Sequence, residues 1–396
     1  MNSFDDKDIC IVGSARTPLG SFNGNLSSVS APNLAAIAIK GALRKANLKP
    51  SDVEEVFLGN VLSVGIGQAP AKQAALAAGI SENCPCTTVN KVCASGMKAI
   101  MFGMQSIQLG YNQIVVAGGM ENMSQVPYYL PKARTGLRMG NVELVDTMIH
   151  DGLWDPYNDC HMGIAAEKCA TNYNITREEQ DRYCMDSYNR AKDASEKGLF
   201  KNEIEPVEVT VRGKTTVYSV DEEFSKINMD RVPTLKPAFQ SGGSVTAANA
   251  SSISDGAAAV VLTTVGNAKR MNLPIRAIIR SAADASQSPM EFTTTPAKAI
   301  PLAIKRAGIS MEDVDYFEIN EAFSVVSLVN MKLLNIPIEK INVYGGGVSI
   351  GHPIGCSGAR IIVTLLSVLE NTNTKIGVAG ICNGGGGASA LVIQRV

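Results

Sequence analysis

Charge of one sign is not in excess in this chain: 36 Lys and Arg stand against 37 Asp and Glu, a formal net charge of −1. That balance argues against nucleic acid or an anionic membrane surface as a partner, and leaves any anionic substrate to be met by local groups. No apolar run reaches the ~20 residues a bilayer requires. The nearest, Ile361-Ile-Val-Thr-Leu-Leu-Ser-Val-Leu369, reads as a buried helix. The nine cysteines are odd in number and lack the paired spacing of a secreted disulfide scaffold, which suits a compartment where thiols stay reduced. Met1-Asn-Ser-Phe-Asp-Asp-Lys-Asp8 lacks the apolar core of a signal peptide and the Arg-rich character of a mitochondrial presequence. Gln394-Arg395-Val396 is not a peroxisomal tripeptide, so a cytoplasmic location is the expectation. A Gly-x-Gly-x-x-Gly after an early strand and a Walker loop are both missing, which removes nucleotide-redox and NTPase readings. Cys84-Pro-Cys86 is spaced too tightly for a zinc half-site and has no matching pair, so these are expected to be structural thiols.

What is present is a repeat. At 396 residues the chain exceeds one ordinary domain of roughly 100 to 200 residues. Ala42-Leu-Arg-Lys-Ala-Asn-Leu-Lys-Pro-Ser-Asp-Val-Glu54 aligns without a gap on Ala303-Ile-Lys-Arg-Ala-Gly-Ile-Ser-Met-Glu-Asp-Val-Asp315, an offset of 303 − 42 = 261. Ser95-Gly96 falls on Ser357-Gly358 (357 − 95 = 262), and Val116-Ala-Gly118 on Val378-Ala-Gly380 (378 − 116 = 262). A near-constant offset over three separated segments indicates two copies of one module. Each copy reads as an amphipathic helix, a short strand (Val56-Phe-Leu58 or Tyr316-Phe-Glu-Ile319), a helix from Ser95 or Ser357, and a buried strand from Ile114 or Ile376. This predicts layered α/β modules. The expected division is 1–120, completed by a strand near 251–270; an inserted loop region 121–250 for substrate and oligomer contacts; and 271–396. Thr176 and Glu179 form a capping box within the insertion.

Three histidines are few, so the setting of each is informative. His352 lies in Gly351-His-Pro-Ile-Gly-Cys-Ser-Gly358, a run rich enough in glycine to serve turns and close backbone approach. His150 lacks comparable context and reads as structural. Cys93, in Asn90-Lys-Val-Cys-Ala-Ser-Gly96, precedes an apolar helical stretch, whose positive end is expected to favour the thiolate. Cys382 opens Cys382-Asn-Gly-Gly-Gly-Gly387, where Gly384 offers a backbone N–H without side-chain bulk, suited to an oxyanion. Asn320-Glu-Ala-Phe323 follows a strand directly; the neutral amide can hold a water or an enolate oxygen, and Glu321 is assigned structural hydrogen bonding. Under the repeat offset, Cys93 corresponds to Gly355 and Met120 to Cys382, so distant loops converge. Two thiols and an imidazole on such backbone suit an enzyme that holds an acyl group on one sulfur while another base removes a proton. A cysteine protease would also use Cys, His and Asn, but the second cysteine and the duplication do not suit it.

These four motifs, Asn90–Gly96, Asn320–Phe323, Gly351–Gly358 and Cys382–Gly385, resemble those of the thiolases, most closely the short-chain biosynthetic kind, and the resemblance covers nearly the whole chain. It implies a duplicated α-β-α-β-α fold and ping-pong condensation of two acetyl-CoA molecules to acetoacetyl-CoA and CoA. The implied catalytic residues are Cys93, His352, Cys382, Asn320 and Gly384. CoA thioesters are then the substrates, with no prosthetic group. For the acyl and CoA sites the resemblance points to His161, Met162, Tyr188, Lys226, Arg231, Phe239, Ala250, Ser251 and Phe323. Lys226-Ile-Asn departs from the more usual Arg-Val-Asp. Tyr188, Ala247, Ala248, Ala250 and Val348 resemble a potassium site of some members, and Pro131–Asn141 a tetramerisation loop, so a homotetramer or homodimer is implied. Two other readings stand beside this one: a degradative 3-ketoacyl-CoA thiolase of broader chain length, and a thiolase-like acyl-CoA or lipid binder without turnover.

Overall fold

A computed structural model describes residues 4–396. The first copy contributes β1 (Ile9–Arg16), β2 (Glu55–Gly59), β3 (Cys86–Val89), β4 (Val115–Asn122) and β5 (Ser254–Thr264). The second contributes β6 (Ala277–Ser286), β7 (Tyr316–Ile319), β8 (Ile376–Asn383) and β9 (Gly387–Arg395). The principal helices are α1 (Ala31–Lys45), α2 (Pro70–Ala77), α3 (Ser95–Gln108), α4 (Met162–Asn172), α5 (Arg177–Glu196), α6 (Pro296–Ala307), α7 (Ser324–Leu334) and α8 (Ile354–Thr372).

Pairing repeats between the copies. β2 runs parallel to β4, and β4 antiparallel to β5, which returns antiparallel to β1. In the same way β7 is parallel to β8, β8 antiparallel to β9, and β9 antiparallel to β6. The two half-sheets meet where Cys10 and Ile11 face Ile278 and Ala277, giving one continuous order β7-β8-β9-β6-β1-β5-β4-β2-β3.

Apolar patterning sets the layers. Leu34 and Ile39 of α1 pack on Val56 and Val261, covering the outer face of the first half-sheet. Ile300 and Ile304 of α6 do the same for the second, against Phe317 and Val392. Between the half-sheets, Met97 and Ile100 of α3 and Ile362 and Leu366 of α8 share one core with Val115, Leu262, Ile381 and Ile393. The result is the α-β-α-β-α arrangement. α8 is apolar on nearly every side because strands or α3 meet every side, as expected of a helix buried all round. It starts at Ile354, one turn earlier than the serine repeat suggests, since Pro353 supplies a favourable cap-region φ of −66°.

The insertion is docked through charge. Arg16, fully buried at the end of β1, pairs bidentately with Asp221 at 2.7 and 2.8 Å and with Glu203 at 2.5 Å. Breaking one member would leave an uncompensated buried charge. α5 opens on the capping box: Thr176 Oγ1 accepts from Glu179 N at 3.2 Å and Glu179 Oε2 from Thr176 N at 2.7 Å.

α3 and α8 cross through their glycines. A Cβ on Gly96 would lie 2.8 Å from Ala359 N, and one on Gly358 2.5 Å from Met97 N. These are the residues matched by the repeat, so the contact is reciprocal about the pseudo-dyad. Gly358→Ala is expected to cost about 1–3 kcal/mol through overpacking, read as a lower urea midpoint. An unchanged midpoint would show that the helices are free to separate.

Candidate active site

A cavity of about 550 Å³ opens between the insertion and the N-terminal ends of α3 and α8. Cys93, His352, Gly384, His161, Met162, Lys226, Phe239, Ala250, Ser251 and Phe323 all line it, as does Ala247. Cys382 and Asn320 are fully buried, and Asn320 lies directly against His352. A larger cleft of about 830 Å³, beside Arg44 and Arg276, contains none of these residues and is a different place.

Cys93 sits on a tight turn just before α3. Val92 has φ +47°, the left-handed region that a β-branched residue avoids. Such strain costs roughly 1–3 kcal/mol and persists where surroundings enforce it. Here Asn90 Oδ1 accepts from Val92 N at 2.9 Å, and Ser95 Oγ donates to Val92 O at 2.6 Å while accepting from Lys91 N at 2.8 Å. Desolvation opposes the preference for thiolate expected at this helix end. Burial pushes the Cys93 thiol up to about 11; the backbone N–H groups of Gly384 and of Cys93 itself favour the thiolate, but they do not offset desolvation, and the charge of Glu121 opposes them.

His352 is held in one tautomer. Its Nδ1 lies 2.6 Å from Ser357 Oγ, and that hydroxyl donates its single hydrogen to Pro353 O at 3.0 Å. With the Ser357 hydrogen on Pro353 O, Nδ1 is the donor and the Nε2 lone pair faces the cavity, 3.4 Å from Asn320 Nδ2. Burial, with the charge of Arg360 adding to it, lowers the imidazole to about 3, so at neutral pH it is an uncharged acceptor. The resting pair is thiol and neutral imidazole.

Cys382, near the end of β8, packs with Ala250, Phe292 and Phe323, and burial followed by the neighbouring Cys93 raises its pKa well above the usual thiol value. Glu121 was not singled out in the sequence, although it falls on Asn383 under the repeat (383 − 121 = 262). Its carboxylate accepts from Gly355 N at 2.9 Å, Val61 N at 3.0 Å, Leu62 N at 3.2 Å and Asn60 Nδ2 at 2.7 Å, fixing the start of α8. Burial raises it to about 7 against those donors. Ser357 was also missed as a partner of His352; its only signal was its place five residues on, inside the same glycine-rich motif.

His161 caps α4, its Nδ1 accepting from Gly163 N at 3.1 Å, so Nε2–H is free to donate. Its ring stacks on Phe239 at 4.7 Å, and Phe239 meets Phe323 edge-on at 6.0 Å. Other residues lie elsewhere. Arg231 is exposed on a short helical turn outside the cavity wall, and Tyr188 is buried in a separate cluster with Ala248 and Val348. Lys226 is paired with Glu222 at 2.7 Å. Glu321 accepts from Tyr183, Ser187, Asn342 and Val348, a structural role. His150 is exposed beside Asp151.

Comparison with known proteins identifies the family. The family described as thiolase, N-terminal domain, matches residues 9–266, and thiolase, C-terminal domain, matches 273–395. The chain belongs to the thiolase family. This thiolase is 58% identical over 396 residues to acetyl-CoA acetyltransferase 1 of Arabidopsis thaliana, covering 99% of this chain and 95% of the relative. It is 53% identical to the cytosolic acetyl-CoA acetyltransferase ERG10 of Gibberella zeae, covering 98% of each. A crystal structure of Acat5 thiolase from Ascaris suum in complex with coenzyme A superposes with a TM-score of 0.93 at 43% identity, over 98% of this chain and 100% of the other.

A thiol raised to about 11 stays protonated below that pH. Alkylation of Cys93 by iodoacetamide is therefore expected to accelerate continuously from pH 6 to 10, about tenfold per unit where the thiolate alone reacts. A flat profile between pH 5 and 8 would indicate a resting thiolate–imidazolium pair instead.

Proposed function

We propose that this thiolase is an acetyl-CoA C-acetyltransferase that condenses two acetyl-CoA molecules to acetoacetyl-CoA and CoA, reversibly, through acetyl-Cys93. The observation that carries the reading is the meeting, at one cavity wall, of the Cys93 sulfur, the Gly384 N–H aimed at it and the free Nε2 of His352. His352 takes the Cys93 proton as the sulfur attacks the thioester carbonyl. The oxyanion is met by the N–H groups of Cys93 and Gly384, which stabilise charge that exists only during reaction. Cys382, protonated at rest because it is buried, gives its proton to the departing CoA sulfur. The acetyl-enzyme then carries a Cys382 thiolate and a His352 imidazolium.

The second acetyl-CoA reverses both transfers. Cys382 removes a methyl proton, and the enolate oxygen is held by the His352 imidazolium and by a water on Asn320, whose buried Oδ1 has no partner among the described residues. The enolate carbon attacks acetyl-Cys93, and the released sulfur regains its proton from His352. Protons balance over the cycle. The aromatic and His161–Met162 wall supports a two-carbon acyl group: Met162 Cε comes within 3.8 Å of the Cβ position of Gly384, so the thioether stands beside the proposed oxyanion donor.

The reading extends to the setting of the site. CoA contacts are assigned to Lys226, Phe239, Ala250 and Ser251, with Arg231 and Tyr188 outside the wall. Residues 121–250 form the loop domain between modules 1–120, completed by β5, and 271–396. Met139 is fully exposed and Leu137, Val142 and Leu144 are exposed nearby, which supports Pro131–Asn141 as an assembly loop of a homotetramer or homodimer. A cytoplasmic location belongs to the same reading, supported by the 53% identity to the cytosolic acetyl-CoA acetyltransferase of Gibberella zeae. A potassium ion would be held by neutral oxygens around Tyr188, Ala247, Ala248, Ala250 and Val348. Tyr188, Ala248 and Val348 do pack together, and the Ala248 carbonyl, accepting from the Cys184 thiol at 3.0 Å, keeps a second lone pair. Such an ion would brace the loop that carries Ala250 and Ser251.

Mass spectrometry of the enzyme mixed with acetyl-CoA should find one acetyl group, on Cys93. Cys93→Ala should neither acetylate nor condense, and Cys382→Ser should acetylate yet lose about 10²–10⁴-fold in condensation. Normal condensation by Cys93→Ala would overturn the reading. Thiolysis of acetoacetyl-CoA should exceed that of longer 3-ketoacyl-CoA substrates, with and without potassium, whereas equal rates would favour a degradative enzyme.

A further inference from the structure

We propose that Lys91, through Asp284 and Ser389, is a positioning residue that clamps the nucleophile turn of the first module to the hairpin of the second that carries Cys382 and Gly384. This inference rests on the acetyltransferase reading above and deepens it. The turn Asn90–Ser95 is strained at Val92, and its own hydrogen bonds, from Asn90 and Ser95, lie within the turn. Those bonds shape it without fixing where it stands relative to the second module. The α3–α8 crossing at Gly96 sets the helix start against the second module, and the Lys91 ammonium adds a link from the turn itself to the hairpin that carries Cys382. It donates to Asp284 on β6 and to Ser389 on β9 at 2.9 Å. Ser389 Oγ in turn donates to Asp284 Oδ1 at 2.6 Å, and Lys98, on α3, holds the other carboxylate oxygen at 2.7 Å.

The register shows what the clamp reaches. Asp284 faces Ser389 across β6 and β9, and Ser389 faces Ile381 across β9 and β8, the residue before Cys382. The turn after Asn383 presents Gly384, whose Cβ position would lie 3.5 Å from Val92 Cγ1. Lys91 is therefore anchored one residue row from Cys382, on the strands whose connection aims the Gly384 N–H at the Cys93 sulfur. Burial raises the Asp284 carboxyl, but two lysines and the hydroxyl outweigh it and hold the group down to about 2, so it is ionised at neutral pH. An ammonium suits the place because it donates to carboxylate and hydroxyl together. A misplacement of about 1 Å between reacting groups can cost on the order of 10²-fold in rate.

The test is steady-state condensation with Lys91→Met, Lys91→Arg, Asp284→Asn and Lys98→Met, with thermal midpoints measured alongside. Lys91→Met should lower kcat about 10- to 100-fold with KM for acetyl-CoA and the thermal midpoint little changed, and Lys91→Arg should recover most of it. Lys98→Met, which removes an Asp284 partner that is not on the turn, should lose less than about threefold. Lys91→Met combined with Asp284→Asn should be no worse than the poorer single variant, since both break one link. A kcat within about twofold of the parent in Lys91→Met, an equal loss in Lys98→Met, or additive losses would each overturn the clamp. If Lys91→Met does not fold, Asp284→Asn is judged by the same kcat and KM criteria. Failure of the parent enzyme to acetylate Cys93 would instead defeat the acetyltransferase reading, so the two failures are distinguishable.

Discussion

The contact on which the site depends is the crossing of α3 and α8 through Gly96 and Gly358. Side chains at these two positions would drive into the facing backbone, so only hydrogen lets the helix starts approach within backbone contact. That approach places Cys93, just before α3, and His352, just before α8, on one cavity wall. Because the glycines are equivalent under the repeat, the close packing is symmetric while the chemistry is not. The same position before a helix carries a sulfur in one module and, three residues away, an imidazole in the other.

Burial then decides the chemistry. A helix end alone would stabilise a thiolate at Cys93, but the residue is half-buried in the cavity wall and desolvation there outweighs the backbone donors. The same enclosure keeps His352 uncharged and Cys382 protonated. A site of three neutral groups holds no charge until the substrate is in place, and its dipoles are already aimed. In the proposed mechanism each proton then has an acceptor within the site: His352 for Cys93, the leaving sulfur for Cys382. Ser357 and Glu121 serve this arrangement by fixing a tautomer and a helix start.

Much of this was legible in residue order. The offset of 261 to 262 gave the duplication, and the strand pairing follows it in both halves, because apolar spacing on α1 and α6 dictates which faces cover a sheet. The motifs around Cys93, Asn320, His352 and Cys382 named candidates, of which Cys93 and His352 line the cavity and Asn320 lies against His352. Other features were not legible. Arg231 and Tyr188 stand off the cavity wall, one exposed on a short helical turn and the other in the cluster with Ala248 and Val348. Glu121 escaped notice because a lone carboxylate in Gly-Gly-Met-Glu-Asn shows nothing until Gly355 and Val61 are folded over it. The fall of the two half-sheets into one continuous sheet rests on two facing pairs, which no pattern along the chain announces.

Residue order by itself determined which groups are available and how they are grouped: two thiols beside glycine-rich turns, one imidazole in a glycine-rich frame, and a module written twice. Local spacing can encode these because helices, strands and tight turns are read over a few neighbouring residues. Only the tertiary structure decided the protonation of those groups and their mutual aim. Desolvation and hydrogen-bond direction depend on atoms brought together from positions hundreds of residues apart, as Lys91 meets Asp284 and Ser389.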